Sequence, residues 1–169
     1  MKINPVVNFE WEHKKYVGNL VAIHRNCINI AYVLKGKSGG IVRVINRKTA
    51  ERTLLKGFHG RVLDISFAHQ DDVLLGAVDE IGNMFIYAIK EHGEKISSEL
   101  VLQVNREAGS PSSDFHRLIW CPFIPEEDES SGSGEANDEA ARLLVLTHGN
   151  VVGFLSCSLS RLSNFEIRR

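Results

Sequence analysis

Several short clusters in this sequence hold residue types that can do chemistry. Gly36-Lys37-Ser38 has the ending of a phosphate-binding loop, in which backbone N–H groups and a lysine cradle anionic oxygens. That loop needs a further glycine five positions before Gly36, where Ala31 stands. The flanking residues predict a turn into a strand, without the helix whose N-terminus would face a phosphate. His24-x-x-Cys27 offers two metal-ligating side chains. A structural metal site needs four, typically as paired spacings, and no second pair exists: Cys121 and Cys157 stand alone. Asp114-x-His116 supplies a carboxylate and an imidazole, two parts of a hydrolytic triad, but nothing along the chain sets a nucleophile against them. The other histidines, His13, His59, His69, His92 and His148, fall in or beside turns as isolated polar residues. The expectation is that no residue is catalytic, none binds a cofactor and none holds a metal, so no small-molecule substrate is implied.

Charge offers one further chemistry. Lys35, Lys37, Arg43, Arg47, Lys48, Arg52, Lys56 and Arg61 form a basic series that can meet RNA phosphates. Its members in strands are expected to point to both faces, and no RNP-like aromatic pattern accompanies them. A solvated surface is the simpler reading, and an RNA-binding β-domain is the alternative. The acids are concentrated elsewhere. Residues 126–139, EEDESSGSGEANDE, hold seven of the chain's 21 acids and no Lys or Arg. This stretch is too polar to bury anything and reads as a solubilising acidic loop. The rest of the chain is mildly basic, although the whole stands at a net charge of -1.

The elements that must position these residues are short. LVAIH (20–24), INIAYVL (28–34), IVRVIN (41–46), TLLKGF (53–58), RVLDISFA (61–68), VLLGAV (73–78) and MFIYAI (84–89) read as strands. SELVLQV (98–104), FHRLIW (115–120), RLLVLTH (142–148) and VVGFL (151–155) continue the series. KGKSGG (35–40) and DEIGN (79–83) are turns. No window sustains a helical stripe, so the chain is all-β. Three widely spaced cysteines, no N-x-Ser/Thr sequon, no apolar leader and no run long enough to span a membrane point to a reducing, cytoplasmic or nuclear setting.

One spacing recurs. Val62, Ile65 and Phe67, with His69 where proline is common, follow the V-x-x-V-x-F-x-P pattern of the first inner strand of a WD40 repeat. Phe115, Leu118, Trp120 and Pro122 repeat it 53 residues later. Alternate residues of such strands face neighbouring blades and must be apolar at period two. Asp79 sits where a turn aspartate can hold backbone N–H groups. The polar signature is degenerate, with Phe58 at the usual His, Ala77 at the usual Ser/Thr and Ala88 at the terminal Asp. Trp120 is expected between blades, and Trp11 lies outside the repeats.

VNFEWEHKKYVGNLVAI, RTLLKGFHGRVLDISFAH, DEIGNMFIY and above all FHRLIWCPFIPEE resemble the N-terminal WD40 region of the enhancer of mRNA-decapping protein 4 family, from about Val7 to Val151. The resemblance implies a non-catalytic scaffold that brings the decapping enzyme and its activators together in cytoplasmic processing bodies. It implies no membrane contact. After Val151 the sequence is expected to leave the family pattern. The implied organisation is a lead-in segment over 1–18, a partial WD40 β-propeller over 19–151 with the acidic loop at 126–139, and a divergent tail over 152–169. Two to three blades cannot close a ring of 4–8, so the chain reads as a fragment of an incomplete propeller.

Overall fold

Period-two alternation between turn residues builds antiparallel sheets in chain order. A computed structural model describes residues 17–121, 143–148 and 151–156. Strands β1 (Val21–Ile23), β2 (Asn29–Lys35), β3 (Gly40–Asn46) and β4 (Arg52–Leu55) form the first sheet. Strands β5 (Val62–Phe67), β6 (Leu74–Asp79), β7 (Met84–His92) and β8 (Lys95–Val104) form the second. Strands β9 (His116–Trp120), β10 (Leu143–His148) and β11 (Val151–Ser156) form the third. Each sheet is a meander, and no helix occurs among the described residues. Phe9, Trp11, His13, Tyr16, Pro122, the acidic loop at 126–139 and Cys157 lie outside the described residues.

The middle sheet is covered on both faces. All six residues of β6 are buried. Leu75 and Ala77 join a cluster with Ala31, Val33, Val42, Val44 and Leu55 of the first sheet. Leu74 and Val78 join a second cluster with Leu118, Trp120, Leu144, Leu146 and Leu155 of the third. Strand β7 divides likewise, with Phe85, Tyr87 and Ile89 on one side and Met84 and Ile86 on the other. This is why both strands are almost continuous apolar runs. Each large side chain buried in these interfaces contributes about 1.5–3 kcal/mol. The stacked antiparallel sheets, two of four strands and one of three among the described residues, are arranged as blades of a β-propeller.

Polar bonds pin the blades together. The Trp120 Nε1–H donates to the Ser66 carbonyl at 2.9 Å, joining the third blade to the second. The Asp64 carboxylate reaches both neighbours, accepting the Asn19 N–H at 2.7 Å and the Leu118 N–H at 3.0 Å. Burial pushes the Asp64 carboxyl above the usual range, against the opposing pull of those two N–H groups.

Two expectations need correction. The two copies of the V-x-x-V-x-F spacing are not structurally equivalent. In β5 the register slips between Val62 and Asp64, a bulge that lets Val62 and Ile65 face the same blade. Strand β9 has no slip, so His116, Leu118 and Trp120 point inward and Phe115 is left 63% exposed. The TLLKGF strand ends at Leu55, because Gly57 takes φ +101° and lets Phe58 turn back onto Phe85, ring centroids 4.9 Å apart. Strand β11 begins at Val151, where the VVGFL run was expected, and pairs with β10 along its length.

Candidate interaction surface at one end of the blades

Antiparallel alternation brings the β2–β3 turn, the β4–β5 connection, the β6–β7 turn and the β8–β9 connection to the same end of the sheets. Asp79, the last residue of β6, organises that end and is fully buried. Its Oδ1 accepts the N–H groups of Ile81, Gly82 and Asn83 at 3.1, 3.0 and 2.9 Å. Its Oδ2 accepts the His59 N–H and the Asn83 side-chain amide, each at 3.0 Å. The Asn83 carbonyl oxygen in turn accepts the Arg106 N–H at 2.9 Å. One carboxylate and one carboxamide thus tie three connections together. His59 supplies a backbone N–H while Phe58, at the usual His position, packs in the core.

Exposed groups stand on this frame. Arg61 donates from Nε to Glu80 at 2.7 Å and from a terminal nitrogen to Asp114 at 2.6 Å. Both carboxylates raise the Arg61 pKa. The pairs are solvent-facing and contribute little stability, but they hold the β4–β5, β6–β7 and β8–β9 segments in a fixed relation. Phe115 projects beside Asp114, its N–H bonded to Ser113 Oγ at 3.2 Å. An exposed aromatic next in sequence to an ion-paired Asp114 has the composition of an interaction surface.

A second feature was hidden from sequence reasoning. His116 and His148 are register partners on β9 and β10, and their Nδ1 atoms lie 2.9 Å apart. Such a bond needs one ring to donate and the other to accept, so the accepting ring is neutral and the two cannot both be protonated while it holds. Burial lowers both pKa values. Arg106 adds to this at His116, where the Thr147 backbone and Asp79 oppose it. His148 falls to about 4, with His116 and Arg106 as the further causes. A histidine depressed in the folded state adds stability that is present above its unfolded pKa and lost as pH falls through the folded one. The window here runs from about 6.5 down to about 4. The expected result is that thermal stability falls more steeply across that window in the wild type than in His148→Gln, measured by circular dichroism.

The clusters read as chemistry do not assemble. Gly36-Lys37-Ser38 is the β2–β3 turn, closed by the Gly36 N–H on the Gly39 carbonyl at 2.8 Å. His24 is buried with Nε2 3.1 Å from the Gln70 carbonyl, whereas Cys27 is exposed in its turn at φ +56°. Asp114 is taken by Arg61 and His116 by His148, so they form no dyad. No group of three or more metal-ligating side chains occurs among the described residues. Trp120 is buried between blades as expected. The basic series is divided: Lys37, Lys56 and Arg61 lie toward the Asp79 end, and Arg47 and Lys48 lie in the β3–β4 turn at the opposite end. Arg43 and Arg52 are on the face of the first sheet away from the second, where Arg43 bonds the Tyr32 hydroxyl at 3.3 Å.

Comparison with known proteins places this architecture. A family model described as the WD40 region of Ge1, enhancer of mRNA-decapping protein, matches residues 1–167. The match therefore runs past Val151, where the sequence was expected to leave the family pattern. Enhancer of mRNA-decapping protein 4 of Danio rerio is 43% identical over 149 residues, 88% of this chain and 10% of the relative. The Homo sapiens protein of that name is 40% identical over 150 residues, again 88% and 10%. The Drosophila melanogaster homolog is 31% identical over 150 residues, 85% of this chain and 11% of the relative. The chain spans about a tenth of the length of the curated relatives it matches.

Proposed function

The chain belongs to the family of the Ge1 WD40 region, the enhancers of mRNA decapping, and from that membership we propose that it is a non-catalytic protein-interaction module of the decapping machinery. Its partners are the decapping enzyme and decapping activators, and its place is cytoplasmic, in processing bodies. The observation that carries this reading is the family match over residues 1–167. The Asp79 end adds the physical means, a rigid set of connections that presents Phe115 and the Arg61–Glu80–Asp114 ion pairs to solvent.

The module acts as part of a longer scaffold. Exposed apolar side chains on the two end faces support this. Val21, Ile23 and Leu54 are exposed on the first sheet's far face, and Ile119 and Phe154 on the third sheet's far face. In the interior of the stack the equivalent faces are covered by a neighbouring blade. The RNA-binding alternative draws less support, because the basic residues spread over both ends and one face. Co-purification with a full-length family protein as bait, followed by mass spectrometry, tests the reading. Decapping and processing-body proteins are expected with the intact bait and depleted when this region is deleted. Their absence from the intact bait would sink the proposal.

A further inference from the structure

The connection between β8 and β9, residues 105–115, reads NREAGSPSSDF and holds the one Ser-Pro pair in the sequence, Ser110-Pro111. Proline fixes its own φ and pushes the residue before it toward extended backbone. The connection has no helix or strand of its own. It turns at Gly109, φ +84°, where the Ser110 N–H donates to the Glu107 carbonyl at 3.1 Å. It is next tied down at Ser113, whose N–H donates to the Glu80 carbonyl at 2.8 Å. Around the half-buried Ser110, Gly109, Pro111 and Ser112 are exposed. A cation stands close by, since Arg106 and Ser110 line one recess. The Arg106 guanidinium donates weakly to the Ile81 carbonyl at 3.4 Å and has no ion pair among the described residues. Its positive charge reaches His116 and His148, whose pKa values it helps to lower.

We propose that Ser110 is the phosphate acceptor of a proline-directed Ser/Thr kinase, and that Arg106 holds the phosphate once it is attached. A serine in an exposed, irregular segment, followed by a residue without an N–H, is the substrate such a kinase takes. The γ-phosphoryl group of ATP passes to Ser110 Oγ. An O–P bond forms, the bond to the β-phosphate oxygen breaks, ADP leaves and the hydroxyl proton is released. The product carries a charge of about −1.5 to −2 and three strong acceptor oxygens. They are placed beside a guanidinium that has no carboxylate. The Arg106 N–H already donates to Asn83 at 2.9 Å, so a charge-assisted bond from its side chain ties the β8–β9 connection to the β6–β7 turn. The phosphate also adds negative charge to the connection that carries Asp114 and Phe115. It is thus set to regulate partner binding at the Asp79 end. That consequence rests on the platform reading, whereas the modification site does not.

The test uses the full chain, Mg-ATP and a purified cyclin-dependent kinase with its cyclin, read by tandem mass spectrometry. Phosphate is expected on Ser110, and not in Pro111→Ala, which keeps the hydroxyl. The rate is expected to stay within about tenfold of that for a synthetic peptide of residues 105–115, because the site needs no unfolding. Phosphorus NMR then reads the contact with Arg106. A free phosphoserine titrates at about pH 6. In the folded chain it is expected to titrate at lower pH, and to return toward the free value in Arg106→Gln. Circular dichroism checks that this variant is folded, and the phosphopeptide carrying the same substitution supplies the free value if it is not. Three results would overturn the proposal: phosphate on other residues only, a rate slower than that tenfold margin, or a phosphate titration that is the same with and without Arg106. No readout involves decapping proteins, so failed co-purification and failed phosphorylation are separate outcomes.

Discussion

Trp120→Ala is expected to cost about 3–5 kcal/mol of folding stability, as a large aromatic removed from a core does. The indole has no exposed surface and fills the interface between the second and third blades. Gly76 on β6 makes room for it, since a Cβ there would come 3.3 Å from Nε1. Truncation opens a cavity and also leaves the Ser66 carbonyl without the indole N–H. The loss is a large share of a typical domain's roughly 5–15 kcal/mol. Urea unfolding followed by circular dichroism measures it. Trp120→Phe keeps most of the ring and loses the hydrogen bond, for which about 1–2 kcal/mol is expected. A loss below about 1 kcal/mol for the alanine variant would mean that these two blades do not share a core.

Asp79→Ala should be of similar size, about 3–5 kcal/mol, by a different mechanism. No large cavity is made. The N–H groups of His59, Ile81 and Asn83 lose their acceptor together, that of Gly82 keeps only the Asp79 backbone carbonyl at 2.9 Å, and the Asn83 side chain loses its anchor. Gly82 at φ +93° has little space to relax, because a Cβ there would meet Arg106 at 2.7 Å and His148 at 2.9 Å. The turn therefore has no comparable alternative hydrogen bonding. Asp79→Asn preserves one acceptor oxygen but places a donor against other donors, and about 1–2 kcal/mol is expected. Denaturation midpoints check the order Ala worse than Asn worse than wild type. Equal stability of all three would remove Asp79 from its organising role.

The strands were legible because alternation and turn residues are local signals. The LLGAV and MFIYAI runs also carried the information that the second blade is covered on both faces. The turn role of Asp79 followed from its place in DEIGN. What was not legible depends on register. The V-x-x-V-x-F spacing predicts Phe115 inside, yet only β5 has the bulge that makes such a spacing one-sided. Without it, His116 takes the inward place. His116 and His148 are 32 residues apart, and nothing local reveals that they pair. Asp64 interrupts an apolar run, which reads as a solvent-facing residue until Asn19 and Leu118 are seen to donate to it. Arg61, Glu80 and Asp114 converge from three connections, so their ion pairs are a property of blade stacking. A buried acid inside an apolar strand was the one signal that could have exposed an inter-blade bond.

The most direct measurement compares baits altered at the two ends of the blades. A full-length family protein carrying Arg61→Glu with Phe115→Ala changes the Asp79 end, and one carrying Arg47→Glu with Lys48→Glu changes the opposite end. All four side chains are exposed, so both variants are expected to fold, with circular dichroism of the isolated chain as the check. An interaction module working through the Asp79 end predicts that the first variant loses decapping factors in quantitative mass spectrometry while the second retains them. Retention of every decapping factor by the first variant, or equal loss from both, would contradict it.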